Sequence, residues 1–173
     1  MKSIKWPTSI YSALTNQLMS LIKIGFVGLS AKGWAASALT PGLLNPSLPL
    51  SYLLTAVSTT SAKLAEASAK KYSKAVGNIV KVYDGDTSII ANDPEVELIA
   101  ALVKAPAHKV ALLPAIEAGK DIFIEWPAEV GLKESAELAK AAKRKGIRTM
   151  IGLQERQSPT VVKVSKGFIN IKY

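Results

Sequence analysis

The stretch IKIGFVGLSAKGWA, residues 22–35, opens with an apolar β-forming run (22–27) and stops at the hexad Gly28-Leu29-Ser30-Ala31-Lys32-Gly33. It then passes into a segment of helical character, residues 32–39. A strand, a tight turn and a helix in direct succession make the first half of a βαβ unit. The same alternation continues outward along the chain. Apolar runs recur at residues 52–57 (YLLTAV), 79–83 (IVKVY), 97–103 (ELIAALV), 121–125 (DIFIE) and 148–152 (RTMIG). Segments of helical period lie between them at 61–73, 86–92, 108–118 and 133–145. Strands that are apolar on both faces must be covered on both faces, which predicts a three-layer αβα, doubly wound, mainly parallel sheet.

Punctuation agrees with these bounds. Asp93-Pro94 closes the third helix, Gly119 the fourth, and Gly146 follows the basic last turn of the fifth. Three prolines, Pro41, Pro46 and Pro49, are expected to break the first helix and form an irregular link into the second strand.

The chain has 173 residues, 49% hydrophobic and 20% charged, with no cysteine. This describes one globular domain able to bury roughly 70% of its extended surface. It excludes disulfides, thiolate zinc sites and thiol nucleophiles. The formal charge is +9, from 22 Lys+Arg against 13 Asp+Glu. No acid precedes Glu66, so the imbalance there is one of missing acids rather than clustered bases. Lys140, Lys143, Arg144, Lys145 and Arg148 share their helix region with Glu134 and Glu137, the composition of a solvated face rather than a nucleic-acid patch. Residues 1–21 carry no acid and no Arg, and read as a loosely attached tail without the pattern of a secretory signal; a weak organelle-targeting segment is the alternative. No apolar run reaches the roughly 18 residues of a membrane span. Residues 22–157 form the predicted domain, and 158–173 start like a helix and end in GFINIKY.

The hexad after the first strand carries the chemistry. A dinucleotide fold needs a tight turn there, a backbone that lets pyrophosphate approach, and a helix start that attracts negative charge. Gly28 matches the first glycine of such a fingerprint and Gly33 the third, while Ser30 stands at the second. An ordinary glycine-rich turn is the competing reading. The tip of the second strand, Ser58-Thr59-Thr60-Ser61-Ala62-Lys63, has no carboxylate to hold a ribose hydroxyl or repel a 2′-phosphate, so NAD and NADP are both admitted. Ser61 is equally suited to capping the helix that begins there. Strand four ends in Lys104-Ala105-Pro106-Ala107-His108 and strand five in Glu125-Trp126-Pro127, both at the carboxyl edge of the sheet where ligands collect. His108 is the only histidine, and a lone histidine opening a helix is more often structural than a proton carrier. A carboxylate such as Glu125 closing an apolar strand is costly unless a ligand or donor meets it. Trp126 suits either stacking on a cofactor ring or filling a gap. Gln154, Arg156 and Pro159 follow strand six and are candidates for the far side of the crevice.

Together these pieces resemble the Gfo/Idh/MocA oxidoreductase family, over residues 22–166. The carriers are IKIGFVGLSAKGWA (22–35), ANDPEVELIAALVKAPAHKVALLPAIEAGKDIFIEWP (91–127) and IGLQERQSP (151–159). GLSAKGWA and EWP are most similar to the fungal branch that includes the galactose-pathway transcriptional repressor. The resemblance implies a Rossmann-type domain binding NAD or NADP. It places Gly28, Ser30, Ala31, Lys32, Gly33 and Trp34 around the pyrophosphate and Ser58 and Thr59 near the adenosine ribose. Lys104, Ala105, Pro106 and His108 would lie beside the cofactor, with Glu125, Trp126 and Gln154 near the nicotinamide.

Three departures bear on activity. The family's Glu-Lys-Pro motif supplies a lysine where this chain has Trp126, and an indole cannot stabilise a developing alkoxide as an ammonium does. Ser30 replaces a glycine, adding a hydroxyl as a possible phosphate ligand. The chain also stops before the family's C-terminal substrate domain, so a truncated chain is expected, binding nucleotide without full catalysis of its own and assigned no catalytic residue. The alternative is a dinucleotide-sensing regulator or protein-interaction module, whose partner or second copy docks on surface that the second domain covers in whole family members. The expected compartment is the cytoplasm, or the nucleus for a regulator, with no metal, membrane or direct nucleic-acid contact.

Overall fold

The computed structural model describes residues 21–44 and 51–168. The predicted tail up to residue 20, the link prolines Pro46 and Pro49, and the last five residues lie outside the described residues. Six strands form one sheet: β1 (Ile22–Val27), β2 (Tyr52–Thr59), β3 (Lys81–Asp84), β4 (Leu98–Ala101), β5 (Asp121–Glu125) and β6 (Thr149–Gly152), in the order β3-β2-β1-β4-β5-β6. Every pairing is parallel. This is the order of a doubly wound dinucleotide-binding sheet, with the switch in winding between β1 and β4.

The helices are α1 (Trp34–Ala38), α2 (Thr40–Leu43), α3 (Ala62–Val76), α4 (Thr87–Ala91), α5 (His108–Glu117), α6 (Leu132–Lys145) and α7 (Pro159–Phe168). Two apolar layers flank the sheet. One packs Ile99, Ile122 and Ile124 under Ile90, Leu112, Ile116 and Leu138 of α4, α5 and α6; the other packs Phe26, Leu54 and Val57 under Ala69 and Tyr72 of α3. Each fully buried Leu or Ile contributes about 1.5–3 kcal/mol by leaving water. Gly25 is required inside β1, because a Cβ there would stand 3.0 Å from both Ile90 and Val96 side chains. No helix among the described residues is long and apolar enough to cross a membrane.

The amino edge of the sheet is tied by carboxylates. Glu97 accepts from the Lys23 N–H at 2.9 Å, and Asp121 from the Arg148 N–H at 2.7 Å and its guanidinium at 2.8 Å. Asp93, with its side chain almost wholly buried, accepts from Lys81 at 3.0 Å, Tyr83 at 2.9 Å and the Glu95 N–H at 2.9 Å. Burial pushes the Asp93 carboxyl up, but those three donors outweigh it and hold it below the ordinary carboxylate range.

Several boundaries differ from expectation. β2 runs two residues further than predicted, because Ser58 and Thr59 pair with Tyr83 and Asp84 of β3. β4 is shorter than residues 97–103, with Leu102 still donating to the Val27 carbonyl at 2.8 Å as the chain turns away. The helix predicted over 32–39 begins only at Trp34 and stops at Ala38, ahead of Pro41. Pro41 sits in the first turn of α2, where its missing N–H removes no helical bond. At the far edge Met150 is 64% exposed and Thr149 and Ile151 are exposed as well, so cover on both faces fails at β6.

Candidate functional site

The carboxyl ends of β1 and β4 lie side by side, and Gly28 is the residue that lets them. Its φ is +90°, and a Cβ would fall 2.6 Å from the Leu102 carbonyl oxygen and 2.6 Å from Val103 Cγ1. Gly33 also has a positive φ, +141°, but a Cβ there would meet only Ser30 Oγ at 3.0 Å, so its requirement is conformational rather than one of close packing.

Three hollows adjoin along this edge. One of about 180 Å³ is lined by Gly28, Ser58, Thr59, Thr60, Gly85 and Thr87 among others. The second, about 240 Å³, shares Gly28 and Val103 with it and adds Ser30, Gly33, Trp34, Lys104 and Glu125. The third, about 670 Å³, shares Trp34 and Glu125 and continues to Trp126, Leu153, Arg156 and Val161. They make one groove across the carboxyl edge, bordered by serine and threonine residues at the β2 end and by indoles at the β6 end. Trp34 and Trp126 are 59% and 66% exposed, and Glu125, which lines the same hollow, is half-buried.

Most of the predicted residues meet in this groove, and the others are placed as follows. Ala31 and Lys32 lie in the turn itself. Ala105 and Pro106 form a 3-10 turn (Ala105–Ala107) just beyond Lys104, and of that turn Ala107 lines the first hollow. Gln154 opens the 3-10 turn Gln154–Gln157, between two lining residues; its side chain lies outside the described residues.

His108 is not brought to the groove. It is 1% exposed, and its Nδ1 bonds the Ala128 carbonyl at 3.0 Å, tying the start of α5 to the loop after β5. The Ser30 hydroxyl donates to the Lys32 carbonyl within the turn, while Ser30 itself borders the second hollow. Ser61 is the residue before α3, but its side chain makes no capping bond, and Thr59 Oγ1 instead donates to the Ser61 carbonyl at 3.0 Å.

Sequence reasoning missed the floor and the back of the site. Leu102 and Val103 carry only the pattern of a strand and Thr87 only that of a helix, whereas Gly85, a glycine directly after a strand, is a usable signal. Gly85, at φ +70°, donates to the Thr59 carbonyl at 3.0 Å and carries the chain over the β2 tip. Beside it Asp86 caps α4, and the Ser88 N–H holds its carboxyl below the usual range.

A doubly wound parallel sheet with a glycine turn at its switch point and a groove along its carboxyl edge defines a dinucleotide-binding domain. The model of the oxidoreductase family with an NAD-binding Rossmann fold (GFO_IDH_MocA) matches residues 22–153, and the chain belongs to that Gfo/Idh/MocA family. It is 34% identical over 149 residues to dehydrogenase aclE of Aspergillus oryzae, covering 84% of this chain and 39% of that protein. It is 26% identical over 159 residues to the galactose/lactose metabolism regulatory protein GAL80 of Saccharomyces cerevisiae, covering 86% of this chain and 35% of that one. Among solved structures, a super-repressor mutant of Gal80p superposes with a TM-score of 0.73 at 25% identity, over 84% of this chain and 38% of that one. The chain thus spans well under half the length of these relatives.

Proposed function

We propose that residues 22–157 bind NAD or NADP along the groove, without full hydride-transfer catalysis by this chain alone. The observation that carries this reading is the close passage of Gly28 beneath Leu102, with a hollow opening on either side of it. The β2-end hollow would take the adenosine among Ser58, Thr59 and Thr87. The Gly28 to Gly33 turn and Lys104 would hold the pyrophosphate, and the Trp34–Glu125–Trp126 end would receive the nicotinamide. When bound, the nicotinamide supplies a hydride donor or acceptor. Trp126 offers that ring an apolar wall and no ammonium, which favours holding the cofactor over turning it over.

Titration with NADH and NADPH, followed by tryptophan emission, tests the proposal. Saturable quenching supports it and ranks the two cofactors; a folded chain without quenching removes it. A second reading, a dinucleotide-sensing regulator or interaction module that docks a protein partner or a second copy, is favoured by the two exposed indoles in the widest of the three hollows and by the likeness to GAL80. Light scattering with and without cofactor tests self-association, and a monomer at every concentration counts against that form of it.

A further inference from the structure

The turn between Gly28 and Gly33 is held from behind by α3. Tyr72, fully buried, donates its phenol proton to the Ser30 carbonyl at 3.0 Å. Its neighbour Lys71 donates from Nζ to the Ala31 carbonyl at 2.8 Å, and that ammonium stands 5.2 Å from the centre of the Tyr72 ring. In a trans peptide the carbonyl of one residue and the N–H of the next point opposite ways. Drawing the carbonyls of residues 30 and 31 towards α3 therefore turns the N–H groups of Ala31 and Lys32 away from it. α3 packs on β2 and β3, whereas the hollow lined by Gly28, Gly33 and Lys104 opens between β1 and β4.

We infer that Tyr72 and Lys71 are positioning residues, which aim the Ala31 and Lys32 N–H groups at the pyrophosphate of the bound dinucleotide. Successive N–H groups presented in this way make an anion-binding concavity. The need is specific to this turn. Ser30 occupies the place of the glycine of closest approach and its hydroxyl donates to the Lys32 carbonyl, while the two bonds from α3 hold the carbonyls of residues 30 and 31 from outside the turn. The inference rests on the dinucleotide reading above.

The test uses the whole chain and the variants Tyr72→Phe, Lys71→Met and Lys71→Arg. NADH is titrated directly, and ADP-ribose and adenosine are measured by displacing it. Tyr72→Phe keeps the ring in the core, and Lys71→Met keeps an unbranched side chain on the exposed side of α3 while removing the bond to Ala31, so each should leave a folded protein. Both should weaken NADH and ADP-ribose by about tenfold, the scale of one hydrogen bond. Adenosine, which lacks the pyrophosphate, should bind within twofold of the parent, and Lys71→Arg should restore most of the loss. An equal loss for adenosine, or unchanged ADP-ribose in both variants, would overturn the inference. A parent chain that fails to bind NADH would remove the dinucleotide reading and this inference with it, whereas a binding parent with unaltered variants removes the inference alone.

Discussion

Gly28 passes so close beneath Leu102 that a single methyl group on it would stand 2.6 Å from the Leu102 carbonyl oxygen, inside any real carbon–oxygen contact. The obstacle is backbone, so no side-chain rotation relieves it. The tips of β1 and β4, adjacent in the sheet, would have to part at the point where the groove begins.

Gly28→Ala therefore combines that clash with an alanine held at φ +90°. The expected loss is roughly 3 kcal/mol of stability. NADH quenching should weaken at least tenfold in whatever fraction stays folded. Urea unfolding and the titration are run side by side, and a stable variant with parental affinity would show that the turn is not the binding point.

His108→Ala should separate structure from binding in the opposite direction. Removing a buried ring and its bond to the Ala128 carbonyl is expected to cost about 2–4 kcal/mol. Affinity for NADH in the folded protein should stay within twofold, because the ring lies outside the groove. A selective loss of affinity at unchanged stability would place His108 beside the cofactor after all.

The indoles give a direct readout. Of the three tryptophans, Trp34 and Trp126 face the widest hollow. Trp34→Phe and Trp126→Phe should each lower the amplitude of NADH quenching, and the double variant should lose most of it. Full quenching in the double variant would mean that the nicotinamide lies elsewhere.

Asp93 contributes to stability towards acid. Its carboxyl is held below its unfolded value, so its contribution is complete above about pH 4 and is lost as pH falls through the lower folded value. Lys81 is raised, chiefly by Glu95 and then Asp93, so its contribution is complete below about pH 10 and is lost only above that. Asp93→Asn should cost about 2 kcal/mol near neutrality. For a domain of this size that lowers the thermal midpoint by roughly 4–8 °C. The difference between variant and parent should shrink as pH falls below 4; a constant difference down to pH 2 would contradict this account.

The alternation of apolar runs with helical segments, and the place of Gly28 and Gly33 after the first run, were legible in the sequence because strand period, helix period and glycine turns are local. So were both ends of the groove, Ser58 and Thr59 at one and Glu125 and Trp126 at the other, since in a parallel sheet every strand delivers its last residues to the same edge. Tertiary packing alone decided the rest. No local pattern tells that Leu102 lies over Gly28, that Tyr72 and Lys71 reach back some forty residues to the turn, or that the His108 ring turns towards Ala128 rather than the crevice. Side-chain direction and hydrogen-bond partner depend on which distant backbone arrives alongside, and that is settled only when the layers pack.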